Sequence, residues 1–380
     1  MNIGVDIRTL SFRKGGLSHY TYNLLKNVAR MDSKNKYFLF NYNKSPYEWD
    51  NFKGNVEEII LRLPQRYNLK TVWETILIPL SIKKLGIDVW FSPTDFYIPP
   101  LFQKSSVITI HDLLCKNTFD SEKKQYVKQS TNKTKLDRSV KRASKIITIS
   151  HFTYDEVRKE YGTESSKMFV IYSAADERFH KINNQTLLLK VLRRYGIHFP
   201  YILFVGETSE RKNLVRLLHA YHLLKNENRL KKRKLLIVGK RTIDTDQIVR
   251  TVNLLGLSSD VLFTGYIPDE DLPFIYNAAD LFVFPSLYEG FGLPLLEAMN
   301  CQVPVAASNS TSIPEIVGDG ALLFSPYDER DIAVKMDMVI NENMDVGELK
   351  RKGLIQANKF SWGKTAEGVI EIIDSLNGRH

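Results

Sequence analysis

Short apolar runs separated by longer amphipathic stretches recur from one end of the chain to the other. In the first half the runs are Ile3–Ile7, Tyr37–Tyr42, Glu58–Leu63, Asp88–Phe91, Val107–Ile110, Lys145–Ile149 and Met168–Ile171. In the second half they are Tyr201–Val205, Lys234–Val238, Val261–Phe263, Leu281–Phe284, Val303–Ala306 and Ala321–Phe324. Runs this short and this apolar read as strands covered on both faces. Helical periodicity fills the intervals, clearest over Leu17–Arg30, Asn213–Lys225, Asp328–Ile340 and Trp362–Leu376. Strands alternating with helices imply parallel sheets with crossover connections. The polar stretch Ala174–Ile182 reads as a linker between two halves. A chain of 380 residues is also too long for one ordinary core. The expectation is therefore α/β: two doubly wound, Rossmann-like domains facing across a cleft.

One strand-to-helix junction stands out. After the run Asp280-Leu-Phe-Val-Phe-Pro285, the chain reads Glu289-Gly-Phe-Gly-Leu-Pro-Leu-Leu-Glu297. Open α/β folds place ligands at such junctions. Gly290 and Gly292 let backbone approach a ligand closely, and the N–H groups opening the helix near Pro294 suit an anion such as a diphosphate. The two carboxylates then need another task, and accepting hydrogen bonds from sugar hydroxyls is the obvious one. One ligand carrying both diphosphate and hydroxyls is a nucleotide sugar.

The segment Pro285–Met299 resembles the E-x7-E signature of retaining glycosyltransferases of family 4, and the likeness continues through Pro304–Ser308 and Ile313–Gly318. It is most similar to the bacterial mannosyltransferase-like branch that builds surface polysaccharides. The resemblance implies the GT-B fold. Residues 1–175 would form the acceptor-side domain, 176–360 the donor domain, and 361–380 a helix crossing back to the first domain after Phe360-Ser-Trp362. It also implies a retaining reaction in which the departing phosphate takes the acceptor proton. A covalent intermediate on Glu289 is the competing mechanism. Glu289 would meet the sugar, the Phe291–Leu293 backbone the sugar and phosphate, and Glu297 the ribose.

Further elements carry chemistry. Gly206-Glu-Thr-Ser-Glu-Arg-Lys-Asn213 follows the first strand of the second half. Arg211 and Lys212 suit a leaving diphosphate, yet cations at a helix start oppose its dipole, so something should offset them. The segment resembles the family's Arg-Lys-Asn motif. It departs in Glu207, where many members carry a base, and Ser173-Ala-Ala-Asp176 departs from the common Asn-Gly-x-Asp. Gly15 and Gly16, in the loop that also carries Arg8, match a family loop near the donor. His111, at a strand end before Asp112, matches a His that contacts the donor sugar and would stabilise charge or bond a hydroxyl in either tautomer. Tyr266 and Lys240 lie in loops expected to select the base. Asp244-Thr-Asp246 superficially resembles a metal-binding pair but reads better as a helix cap. No metal is expected, because Arg211 and Lys212 would neutralise the diphosphate.

Composition narrows the setting. Lys plus Arg number 53 against 43 Asp plus Glu, a formal charge of +10. That balance favours phosphorylated ligands or anionic membrane. Nucleic acid is excluded as a partner, because no zinc-finger spacing, basic zipper or RNA-recognition signature is present. The basic stretch Ser121–Lys145 reads as a solvated helix face or, alternatively, as a contact for anionic lipid carrying a lipid-linked acceptor. Lys231-Lys-Arg-Lys234 reads as a solvated turn. Cys115 and Cys301 alone imply a reducing cytoplasm, and no apolar run is long enough to span a membrane. The expected partners are a nucleotide-sugar donor, with GDP-mannose first, and a glycan or lipid-linked saccharide acceptor. A nucleotide-sugar 2-epimerase and a non-catalytic binding protein remain alternatives. A dinucleotide oxidoreductase does not fit, since no Gly-x-Gly-x-x-Gly follows a strand. Lys212→Ala and Glu289→Ala should cut transfer at least about a hundredfold while leaving thermal unfolding nearly unchanged.

Overall fold

The computed structural model describes residues 1–11, 15–47, 49, 54–62, 72–94, 97–113, 117–120, 125–128 and 133–377. The chain divides into two compact units, one of Met1–Ser173 with Ser361–His380, the other of Ala174–Phe360.

The first unit is built on β1 (Asn2–Asp6), β2 (Lys36–Asn41), β3 (Val56–Ile60), β4 (Val89–Ser92) and β5 (Ser105–Ile110), with a small antiparallel pair β6 (Asn117–Asp120) and β7 (Gln125–Lys128), then β8 (Lys145–Thr148) and β9 (Met168–Val170). The main sheet is parallel, in the order β3-β2-β1-β4-β5-β8-β9. The second unit holds β10 (Tyr201–Val205), β11 (Lys234–Val238), β12 (Val261–Gly265), β13 (Leu281–Phe284), β14 (Val305–Ser308) and β15 (Leu322–Phe324). Its sheet is also parallel, in the order β12-β11-β10-β13-β14-β15. In each sheet the chain winds outward from a central strand, then returns to that strand's other side. The reversal falls between β1 and β4 in one sheet and between β10 and β13 in the other. At such switch points the loops from the carboxyl ends diverge and leave a crevice.

The apolar runs become strands because both faces are covered. Every residue of β10 and β13 is buried. The helix Leu214–Asn226 packs Leu217, Leu218 and Tyr221 into the same core as Ile202, Phe204 and Val283. Each such side chain contributes roughly 1.5–3 kcal/mol by leaving water.

Several expected boundaries shift for identifiable reasons. β14 begins at Val305 rather than Val303, because the Val303 N–H bonds Ala298 O and closes the preceding helix. The stretch 174–182 is not a free linker. Phe179 is buried edge-on against Tyr276 at 5.6 Å, and Asn277 bonds both the Ile182 N–H and His180 O. The helix Trp362–Asp374 lies in the first unit, where Thr365 Oγ1 donates to Tyr172 O at 2.8 Å and Trp362 meets Tyr20. No helix among the described residues is long and apolar enough to cross a membrane.

The basic stretch is partly committed inside the fold. Lys135 pairs with Glu74 at 3.1 Å, and Arg142 donates to the carbonyls of Ile98, Pro99 and Phe102. Lys145 is buried and donates to Ser166 O. Residues 121–124 and 129–132 of that stretch lie outside the described residues, as does Cys115.

Candidate functional site

The second unit's switch point carries two loops, Gly206–Asn213 after β10 and Pro285–Gly292 after β13. Neither loop is held only by its own backbone. Thr208, 1% exposed, bonds Thr245 Oγ1 at 2.6 Å and accepts from the Thr242 N–H, and its own N–H bonds Lys240 O. Asp244 does not cap the helix that follows it (Thr245–Leu254) through its side chain. Its Oδ2 accepts from the Glu210 N–H at 3.0 Å and so fixes the turn Glu210–Lys212. Asn213 adopts left-handed geometry (φ 59°), which Asn tolerates better than most residues. Its side chain donates to Pro285 O and Pro326 O, while the Leu287 N–H bonds Arg211 O at 2.8 Å. The two loops are thereby stitched together.

A row of hydroxyls holds the second loop from behind. Ser308 donates to Ser286 O, and Ser310 to Ser286 O and Leu287 O. Thr311 accepts from the Glu289 N–H, and Ser312 donates to Glu289 O and Phe291 O. Each bond satisfies a buried main-chain group and fixes the loop before any ligand arrives.

Glu289 is the hub. Its Oε1 lies 2.6 Å from Lys212 Nζ and 3.0 Å from an Arg211 guanidinium nitrogen. Lys212 and Glu289 are only 6% and 8% exposed. Lys212 also lies 4.9 Å from the Phe284 ring centre, and Arg211 reaches Tyr288 O and Glu207 Oε1. The offset required for two cations at a helix start is thus Glu289, with Glu207 as a weaker second partner. Burial alone would raise the Glu289 carboxyl, but Lys212 and Arg211 hold it below the usual carboxylate range. Burial lowers the Lys212 ammonium, and Glu289 opposes that shift. An ion pair this buried also bears on folding, so Lys212 and Glu289 are not stability-neutral positions.

The helix Leu293–Asn300 starts directly after this hub, with Pro294 in its first turn and no side-chain cap. Gly292 sits at φ 99°, a conformation that residues with a Cβ rarely adopt, and an added Cβ would also press on Leu295 Cδ1 at 2.8 Å. Phe291 is buried, edge-on to Phe360. Glu297 accepts from Tyr276 Oη at 2.8 Å. Gly206 adjoins Lys212, and Gly239 packs so tightly that its Cβ would stand 1.9 Å from Gly206 O. Tyr266, 55% exposed, donates to Asp269 and has its phenol pushed up to about 12 by burial and that carboxylate.

The remaining candidates lie in the first unit. Gly15 is the extended N-cap of the helix Gly16–Met31, which has no side-chain cap, and a Cβ on Gly16 would meet nothing within 4 Å. Arg8 is not presented to a ligand. It is 3% exposed, forked onto Asp6 and paired with Glu74 at 2.7 Å, over the Trp73 and Tyr97 rings. For His111 the sequence left the tautomer open, and the geometry narrows it. Nε2 lies 2.9 Å from Pro93 O. A carbonyl only accepts, so Nε2 carries the proton and Nδ1 is an acceptor. Burial pushes the imidazole down to about 4, against that hydrogen bond, so the ring is neutral near pH 7.

Sequence reasoning brought together Arg211, Lys212, Glu289 and the Gly290–Leu293 turn, and the structure joins them within one unit. It missed Thr208, Asn213, Asp244, Thr311 and Ser312 as the supports of that group. Among the described residues no cluster of three or more His, Cys, Asp or Glu is arranged to hold a metal.

The fold is that of GT-B glycosyltransferases. A glycosyltransferase crystal structure from Rickettsia africae ESF-5 matches 100% of this chain and 99% of its own, with a TM-score of 0.75 at 18% identity. Two family profiles divide the sequence, Glycosyltransferase Family 4 over residues 14–179 and Glycosyl transferases group 1 over residues 197–360. The O-antigen chain mannosyltransferase B of Escherichia coli is 33% identical over 72% of this chain and 71% of its own. The serotype-specific mannosyltransferase WbdA of Escherichia coli is 38% identical over 60% of this chain, a match spanning only 28% of WbdA. The chain therefore belongs to the family 4/group 1 glycosyltransferases.

Proposed function

We propose that this glycosyltransferase is retaining and metal-independent, and that it moves mannose from GDP-mannose to a growing glycan or lipid-linked saccharide in cell-surface polysaccharide synthesis. The observation that carries the reading is the buried Lys212–Glu289–Arg211 cluster beside an uncapped helix start at a switch point. The mannosyl and O-antigen names of the relatives support the sugar and the setting.

In this reading Arg211 and Lys212 take the diphosphate as negative charge develops on it. Glu289 holds both cations through Oε1 and offers Oε2 to the sugar hydroxyls. The Gly290–Leu293 turn meets sugar and phosphate through backbone N–H groups. Glu297, oriented by Tyr276, takes the ribose, and Gly206 leaves room beside Lys212. Tyr266 and Lys240 border the base. Within the first unit, Gly15 and Gly16 open an uncapped helix whose N–H groups suit an anion, and His111 offers Nδ1 as an acceptor to a hydroxyl. The departing phosphate takes the acceptor proton, so no separate protein base is required. Two protein cations do the neutralising work that a metal would otherwise do.

Thermal-shift screening against GDP-, UDP-, ADP- and dTDP-sugars tests the donor. A donor at a hundred times its dissociation constant stabilises the protein by about 2.7 kcal/mol. GDP-mannose should give the largest shift. A response to another nucleotide sugar alone would replace the donor, and turnover of the donor sugar without any acceptor would point to the epimerase.

A further inference from the structure

His111 stands directly after β5 and is only part-buried, so part of it reaches the surface. Two hydrogen bonds hold it. Thr153 Oγ1 donates to its main-chain oxygen at 3.3 Å, and Nε2 donates to Pro93 O at 2.9 Å. Neither bond sets the tilt of the ring. The torsion that turns an imidazole about its Cβ–Cγ bond has broad minima. A single bond at Nε2 therefore leaves the ring able to rock about that contact, and Nδ1 moves with it.

Tyr20 removes that freedom. Its ring stands 4.5 Å from the imidazole at an interplanar angle of 89°, the edge-to-face geometry that aromatic pairs favour. Tyr20 lies one turn into the helix Gly16–Met31 and is 2% exposed. Trp362, which opens the helix Trp362–Asp374, is buried behind it at 5.7 Å and 65°. That helix is anchored in turn by Thr365, whose hydroxyl donates to Tyr172 O. A plain core position asks only for apolar volume, which Leu supplies without burying an unbonded polar atom. Tyr20 Oη and Trp362 Nε1 are buried and find no hydrogen-bond partner among the described residues. Buried polar groups are normally bonded, so the flat rings, rather than their polar atoms, are what these two positions use.

We propose that Tyr20, braced by Trp362, is a positioning residue for the transfer reaction, holding the His111 ring so that Nδ1 stays presented to a sugar hydroxyl. The inference rests on the reading of His111 as a hydroxyl acceptor, and one arm of its test needs no ligand. Reacting groups must be held within about 0.5 Å and 10–20°, and a shift of about 1 Å can cost a hundredfold in rate.

The first arm is nitrogen-15 NMR of the histidine rings of the full chain near neutral pH, with His111 identified by its loss in His111→Gln. The natural chain and Tyr20→Phe should show one tautomer, with hydrogen on Nε2. Tyr20→Leu should show both tautomers or exchange-broadened ring signals. The second arm is GDP release from GDP-mannose with methyl α-mannoside as the acceptor probe. Tyr20→Leu should lower kcat at least about tenfold and Trp362→Leu about threefold, with donor KM within about twofold of natural. Tyr20→Phe should keep the natural kcat. Phe40→Leu, a similar loss at a fully buried position of the same unit, controls for stability and should also keep it. A single sharp Nε2–H tautomer in Tyr20→Leu overturns the proposal, and so does a natural kcat in that variant. An equal loss in Tyr20→Phe would assign the hydroxyl instead of the ring, and an equal loss in Phe40→Leu would make Tyr20 a plain core residue. Either result also overturns it. If the natural chain releases no GDP, the donor reading fails, and the NMR arm alone decides the positioning.

Discussion

Replacing Lys212 by Met tests whether the cluster at the switch point is a buried ionic unit. The substitution keeps the volume and removes the charge, leaving the 8% exposed Glu289 with Arg211 alone at 3.0 Å. Breaking a buried pair by removing one partner costs about 3–5 kcal/mol. Arg211 survives, so the lower end, about 3 kcal/mol, is expected. In a unit of this size that is a fall of roughly 6–12 °C in Tm. Glu289→Gln should cost about as much. It strands Lys212 beside Arg211, and the loss is capped because a buried ammonium can shed its proton instead. The double variant strands no deeply buried charge and leaves the part-exposed Arg211 with Glu207, so its loss should fall short of the summed single losses by about 2 kcal/mol. Urea unfolding of the four proteins measures this coupling, and coupled donor turnover reads activity separately. Singles within about 0.5 kcal/mol of the natural chain, or a strictly additive double, would refute the reasoning.

Four further predictions stand beside it. His111 is depressed to about 4 from an ordinary value near 6.5, so the unfolded chain binds more protons between those values. Stability held above pH 6.5 should fall by on the order of 3 kcal/mol as pH drops to 4, and urea midpoints of His111→Gln should lack that component. Gly239→Ala, whose Cβ would stand 1.9 Å from Gly206 O, should destabilise the second unit by on the order of 3 kcal/mol, read as a lowered denaturation midpoint. Asp244→Ala removes the acceptor for the Glu210 N–H and should cost about 1 kcal/mol. Chelation with EDTA should leave transfer by the natural chain unchanged, and a loss restored by a divalent cation would contradict metal independence.

The parallel strands were legible because runs such as Leu281–Phe284 are buried on both faces and carry no helical period. The switch-point loops were legible because glycines and charges cluster where those runs end. What could not be read were contacts across long sequence separations. Glu289 and Glu297 look alike in sequence, yet one is bound by Lys212 and Arg211 and the other by Tyr276. The hydroxyls of Ser308–Ser312 look like any polar loop until the carbonyls they bond are in view. The buried Arg8 cluster was hidden likewise, since Glu74 and Trp73 come from a distant segment. The burial of Lys212 and Glu289, on which their predicted stability cost rests, was hidden for the same reason, because sequence gives their charge but not their surroundings.

The central claim is that Arg211, Lys212 and Glu289 form the diphosphate end of a nucleotide-sugar site. Isothermal titration of GDP into the natural chain and into Arg211→Met tests it most directly, because Arg211 is the more exposed cation and its loss leaves the buried pair intact. GDP affinity should fall at least about tenfold, with little change in Tm, as expected for a lost charge-assisted contact. Equal GDP affinity in the two proteins would contradict the account.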